Sequence, residues 1–124
     1  MKIVIQPLPH ALQRYDTVGD WQFAPRGNLL SVRVSRMRDE RAEWGVALHE
    51  MVEALLCNAA GVSQEEVDRF DFGFLGEGEP GDDPAAPYAA QHTIATEIER
   101  RFVEALGLRW EDYDAMVQRA GEEG

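Results

Sequence analysis

The sequence predicts an α+β fold: a small antiparallel hairpin sheet followed by two long core helices and shorter helices. Three observations carry this. Leu30, Val32 and Val34 alternate with Ser31, Arg33 and Ser35, the period-2 pattern of a half-buried strand. Asp39 to Ala60 reads as a long helix, with Asp39 as N-cap and Gly61 just past the end. A second helical pattern runs from near Pro87 to Leu106 and stops at Gly107.

Taken in chain order, Lys2 to Gln6 is a β-branched run that Pro7 and Pro9 should stop. Trp21 to Ala24, the turn Pro25-Arg-Gly-Asn28 and Leu30 to Ser35 form the hairpin. Ser63 with Glu66 three residues later is a capping-box signature for a short helix reaching about Phe70. The segment 73–87 is rich in Gly and Pro and carries Glu77, Glu79, Asp82 and Asp83, which reads as an acidic loop that could lie over a site. These acids lack the regular spacing of a calcium loop. In the second long helix, Tyr88, Ala95, Ile98, Phe102 and Leu106 define the buried side, with His92 and Glu99 on it and Glu97 pointing away. Trp110 to Arg119 is a short terminal helix before a frayed tail at 121–124. Trp21, Trp44, Phe70, Phe72, Trp110 and Tyr113 read as packing residues.

Length and charge narrow the function classes. The 124 residues suit one domain, 1–124. A formal charge of −11 repels nucleic acid and anionic membranes, and no apolar run approaches the ~18 residues of a membrane span. No signal-peptide pattern opens the chain, and the lone Cys57 cannot form an internal disulfide, so the expectation is cytoplasmic. The local basic cluster Arg33, Arg36, Arg38 and Arg41 could contact a phosphate or an acidic partner patch, but it reads first as a solvated face.

The chemistry concentrates between Trp44 and Cys57. There every residue except His49, Glu50 and Glu53 is apolar or glycine. A buried carboxylate without a partner costs several kcal/mol, so these groups need cations, donors or shifted pKa values. Residues four apart lie one above the other on a helix, so His49 and Glu53 can close on one ion, while Glu50 is turned by about 100°. His92 is the candidate third ligand because it faces the core and a neutral imidazole suits zinc. Glu99 is the substitute, about 10 Å from His92 along the axis. Without a metal, His49 and Glu53 could form an i,i+4 pair, with Glu50 reaching Arg100 or Arg101 in a buried ion-pair network. His10 reads as an exposed residue without a role.

The run Ala-Leu-His-Glu-Met-Val-Glu-Ala-Leu-Leu, 47–56, resembles the active-site helix of the zincin-type metallopeptidases in an H-E-x-x-E form, and the hairpin before it is similar to their minimal core. The resemblance spans roughly Trp21 to Cys57. It implies zinc, or another divalent metal, on His49, Glu53 and a later residue, with Glu50 as general base. It also implies hydrolysis of a peptide or amide, with the strand Leu30 to Ser35 pairing an extended peptide. The glutamate in place of the second histidine makes the ion a weaker Lewis acid, so the activity could be degenerate. Glu79 to Tyr88, Gln91-His92 and Ile98-Glu-Arg are similar to small proteins of tailed phages and prophages, which leaves a non-catalytic interaction protein with a structural metal as the alternative. Leu48 to Leu55 with Glu97 to Leu108 also looks distantly like the His-Asp phosphohydrolases, whose doublet is His-Asp and whose fold is all helical.

Overall fold

The computed structural model describes residues 1–122, in the order β1 (Lys2–Leu8), β2 (Gly19–Phe23), β3 (Leu29–Ser35), α1 (Glu40–Ala60), α2 (Gln64–Phe72), α3 (Ala89–Ala105) and α4 (Trp110–Glu122). Short 3-10 turns cover His10–Leu12 and Pro80–Asp82. The architecture is α+β, with three strands on one side of a helical layer.

β2 and β3 form the expected antiparallel hairpin, with Trp21 opposite Val32. The sheet as a whole is mixed, because β1 joins the other side of β3 in parallel and the order is β1-β3-β2. β3 is therefore the centre strand. Its two edges are both occupied, so, contrary to the expectation from sequence, it has none to offer an extended peptide.

β1 continues through Pro7 to Leu8 rather than ending at Gln6. The reason is geometric. The Lys2 N–H donates to Asn28 O and the Arg36 N–H to Leu8 O, so the even-numbered residues of β1 turn their backbone groups toward β3. Pro7 falls on the outward row, where a missing N–H breaks no bond within the sheet. The outer edge of β2 is closed differently. The Gln64 side chain accepts from the Phe23 N–H at 2.7 Å and donates to Trp21 O at 3.0 Å.

The hydrophobic alternation in β3 does what it predicts: Leu30, Val32 and Val34 are fully buried and meet α1. Asp39 caps α1 by accepting from the Arg41 N–H, and Gly61 ends it in the left-handed conformation at φ 76°. α2 begins with the full capping box of Ser63 and Glu66 and runs two residues past Phe70. α1 and α3 pack on each other, with α4 across one end. An added Cβ at Gly45 would lie 2.6 Å from Val103 and 2.8 Å from Tyr113, so a glycine is what lets the three helices close.

Several expected core positions lie outside it. Trp44 is 48% exposed, Phe72 54% and Ile98 40%. The buried ridge of α3 is instead Tyr88, His92, Ala95, Glu99 and Val103, a sequence of three- and four-residue steps that passes Ile98 by. α4 extends to Glu122, with Ala120 buried and Gly121 facing Val18, so 121–122 are helical and not frayed; 123–124 lie outside the described residues. His10 is also not idle. Its Nδ1 lies 2.8 Å from Ser35 Oγ and its Nε2 2.8 Å from Asp16, which ties the first turn to the end of β3. Among the described residues no helix is long and apolar enough to cross a membrane.

Candidate metal centre

Placing α1 against α3 brings His49, Glu53 and His92 to one point. His49 Nε2 lies 3.1 Å from Glu53 Oε2 and 3.2 Å from His92 Nδ1, and His92 Nδ1 lies 2.9 Å from the same Glu53 oxygen. All three residues are buried. They form a group able to hold a metal ion. Ligand atoms about 2.1 Å from a tetrahedral ion stand about 3.4 Å apart, slightly wider than this triangle. Small outward shifts therefore suffice.

Each member is held from behind. His49 Nδ1 is 2.8 Å from Glu99 Oε1, and Glu99 in turn accepts from the Tyr113 hydroxyl on α4. His92 Nε2 is 3.0 Å from Asp82 Oδ1. The Trp21 indole donates from β2 to Glu53 Oε1 at 3.0 Å, which leaves Oε2 for the inner point. The chemistry of the donor set follows. Carboxylates accept only, so Glu99 and Asp82 place N–H on the outer nitrogens of the two rings. In the neutral imidazoles, both inner nitrogens are then lone pairs aimed alongside a carboxylate oxygen. Three converging acceptors repel unless a cation or protons stand among them. The residues present fit a divalent ion.

With protons in that role, the same groups make an ion-pair network. Burial disfavours the charged His49 ring, but its bonds to Glu53 and Glu99, with Glu50 nearby, outweigh this and lift its pKa to about 11. Burial alone would raise Glu53, yet the bonds from His49, His92 and Trp21 hold it down at about 2. A metal must displace these protons, so binding releases them to solvent.

Glu50 occupies the remaining side. Its carboxylate lies 3.7 Å from His49 Nε2 and makes no hydrogen bond among the described residues. Burial first, then the charges of Glu53 and Asp20, push its carboxyl well above the usual range, with His49 opposing. Arg100 pairs with Glu104, and among the described residues no arginine pairs with Glu50, which corrects the arginine partner expected for it. The backbone of β2 comes close here: an added Cβ at Gly19 would lie 2.8 Å from the Glu50 side chain.

The acidic segment between α2 and α3 does lie over the site. Its Pro80–Asp82 turn seats Gly81 against the His92 ring, where a Cβ would fall 2.4 Å from Nδ1. Gly81→Ala is therefore expected to push the ring off its position, costing about 1–3 kcal/mol and weakening metal binding together. Urea melts and metal titration check this; unchanged values in both would contradict the packing.

Sequence reasoning brought His49, Glu50, Glu53 and His92 together and set Glu99 aside as a substitute ligand. Glu99 instead faces the far nitrogen of His49, seven residues from His92 on the same helix face. Trp21, Tyr113 and Asp82 were missed as partners. Trp21 alone left a signal, since its place opposite buried Val32 turns it toward α1. Comparison of the chain with family models, with curated proteins and with solved structures returns no match in any of the three.

Proposed function

We propose that this protein is a zinc-dependent hydrolase of zincin-like chemistry acting on a peptide or amide, with His49, Glu53 and His92 as metal ligands. The observation that carries the reading is the convergence of one atom from each ligand, with every outer atom already occupied by a partner. Two imidazoles and a carboxylate suit zinc better than calcium or magnesium, which take oxygen ligands.

A divalent ion bound there would polarise a carbonyl and make water easier to deprotonate. The chain's own residues supply the rest. Glu50, beside His49 and without a hydrogen bond among the described residues, takes the proton from water and returns it to the leaving group. Glu99 and Tyr113 hold the His49 ring, and Trp21 keeps Glu53 on one oxygen.

One observation favours a second reading. The trio is fully hydrogen-bonded with protons alone, as a structural ion-pair network in an interaction protein requires. Metal analysis separates the two. The purified protein is expected to carry or take up one zinc per chain, and His49→Ala and His92→Ala each to lose it. Full metal in both variants would place the ion elsewhere, and no uptake by the unaltered protein would leave the network reading.

A further inference from the structure

The buried site needs a way in. His49 is 7% exposed, Glu53 4% and His92 6%, so the approach to the inner point is narrow. His92 is the ligand whose second nitrogen faces exposed carboxylates. Its Nε2 lies 3.0 Å from Asp82 Oδ1 and 3.5 Å from Glu79 Oε2, and those side chains are 69% and 62% exposed. The two acids and the ring form a second group able to hold a metal ion.

We propose that Glu79, Asp82 and the Nε2 side of His92 form an outer capture site for a divalent cation, from which the ion passes to His49, Glu53 and the Nδ1 side of the same ring. The proposal rests on the metal reading above. Two carboxylates and one imidazole make an oxygen-rich and partly exposed set, suited to fast, weak binding of a dipositive ion. Glu77 and Asp83 flank it, and the chain's charge of −11 draws cations toward it.

The ring can serve both ends without losing a proton overall. When the ion sits on Nε2, the imidazole proton is on Nδ1, and Glu53 Oε2 accepts it at 2.9 Å. After transfer the ion is on Nδ1, the proton is on Nε2, and Asp82 accepts it at 3.0 Å. A carboxylate waits at each end. The Nδ1 proton leaves by way of Glu53 as the ion arrives, and Nε2, beside the exposed carboxylates, takes one from water, so charge and atoms balance.

The test uses the full metal-free chain and cobalt(II) alone. The Trp21 indole donates to Glu53, so an ion arriving at the inner site quenches tryptophan emission and can be timed by stopped flow. Glu79→Gln is expected to slow association and chelator-driven release alike, each by about tenfold, leaving Kd within about twofold. A way-station speeds both directions equally. Glu79→Asp keeps the carboxylate and should stay within about threefold of the unaltered rates. Glu77→Gln removes the same charge two residues away along the chain and should change rates less than about twofold. Unchanged association in Glu79→Gln would overturn the proposal, as would faster release with weaker Kd, the sign of a group that merely positions His92. An equal loss in Glu77→Gln would overturn it in favour of general charge attraction. Absence of any cobalt binding by the unaltered chain would fell the metal reading itself, whereas binding with unaltered rates in the Glu79 variants would fell only the capture site.

Discussion

Glu50→Gln is expected to keep the ion, reduce turnover of a peptide or amide substrate by about a thousandfold, and make the metal-free protein more stable. The two effects have one origin. Burial and the charges of Glu53 and Asp20 raise the Glu50 carboxyl, so the folded protein holds that proton more tightly than the unfolded chain does. Above the ordinary carboxylate range, near pH 4.5, the folded state then binds more protons than the unfolded one, and stability falls as pH rises toward the folded pKa. Glutamine has the same shape and no charge to desolvate. The gain should be near zero at pH 4 and grow to about 1–3 kcal/mol at neutral pH. Thermal melts from pH 4 to 8 in chelator measure it, and a gain independent of pH would contradict the burial of an unpaired carboxyl. Undiminished turnover would remove Glu50 as the base.

Glu53→Ala has the opposite sign and a larger effect on folding. It leaves two imidazole nitrogens facing each other at 3.2 Å and strips the Trp21 N–H of its acceptor. Breaking a buried pair from one side costs about 3–5 kcal/mol, so the midpoint of thermal unfolding should fall by 10 °C or more on the scale of about 3 °C per kcal/mol. Metal uptake should disappear with it. The pH windows follow from the directions of shift. The Glu53 pKa is depressed to about 2, so its contribution is present above pH 4.5 and is lost as pH falls through about 2. The His49 pKa is raised to about 11, so its contribution is complete below pH 6.5 and is lost as pH rises through about 11. In the metal-free protein the penalty of Glu53→Ala should therefore peak between these windows, around pH 5 to 6. A penalty below about 1 kcal/mol there, measured in urea, would mean that the trio does not bind itself together.

Much of this was legible because it depends on neighbours in sequence. The caps of α1 and α2, the hairpin and the stacking of His49 over Glu53 are set within a few residues. His92 could be placed because helix period assigns it to the buried side of α3. What escaped depends on partners far along the chain. Nothing in Lys2 to Leu8 states that it will lie parallel to β3, a pairing across 27 residues of register. Trp44 and Ile98 look like core residues by hydropathy, yet a two-layer fold gives α1 and α3 an outer side where they remain exposed. The partners of the ligands, Trp21 on β2, Tyr113 on α4 and Asp82 in the turn, come from three separate elements that only the packed chain brings together.

The proline of β1 has one more consequence. An open strand margin invites other chains to add themselves in register, the first step toward fibrous stacking. Here an arriving strand would meet the outward row of residues 3, 5 and 7, and Pro7 contributes a carbonyl without a donor. Only Ile3 and Ile5 can supply N–H groups, too few to template a ladder. At the opposite margin a glutamine amide already fills the place of a next strand. The apolar side chains of β1 can thus stay in water while its backbone gives growth no foothold.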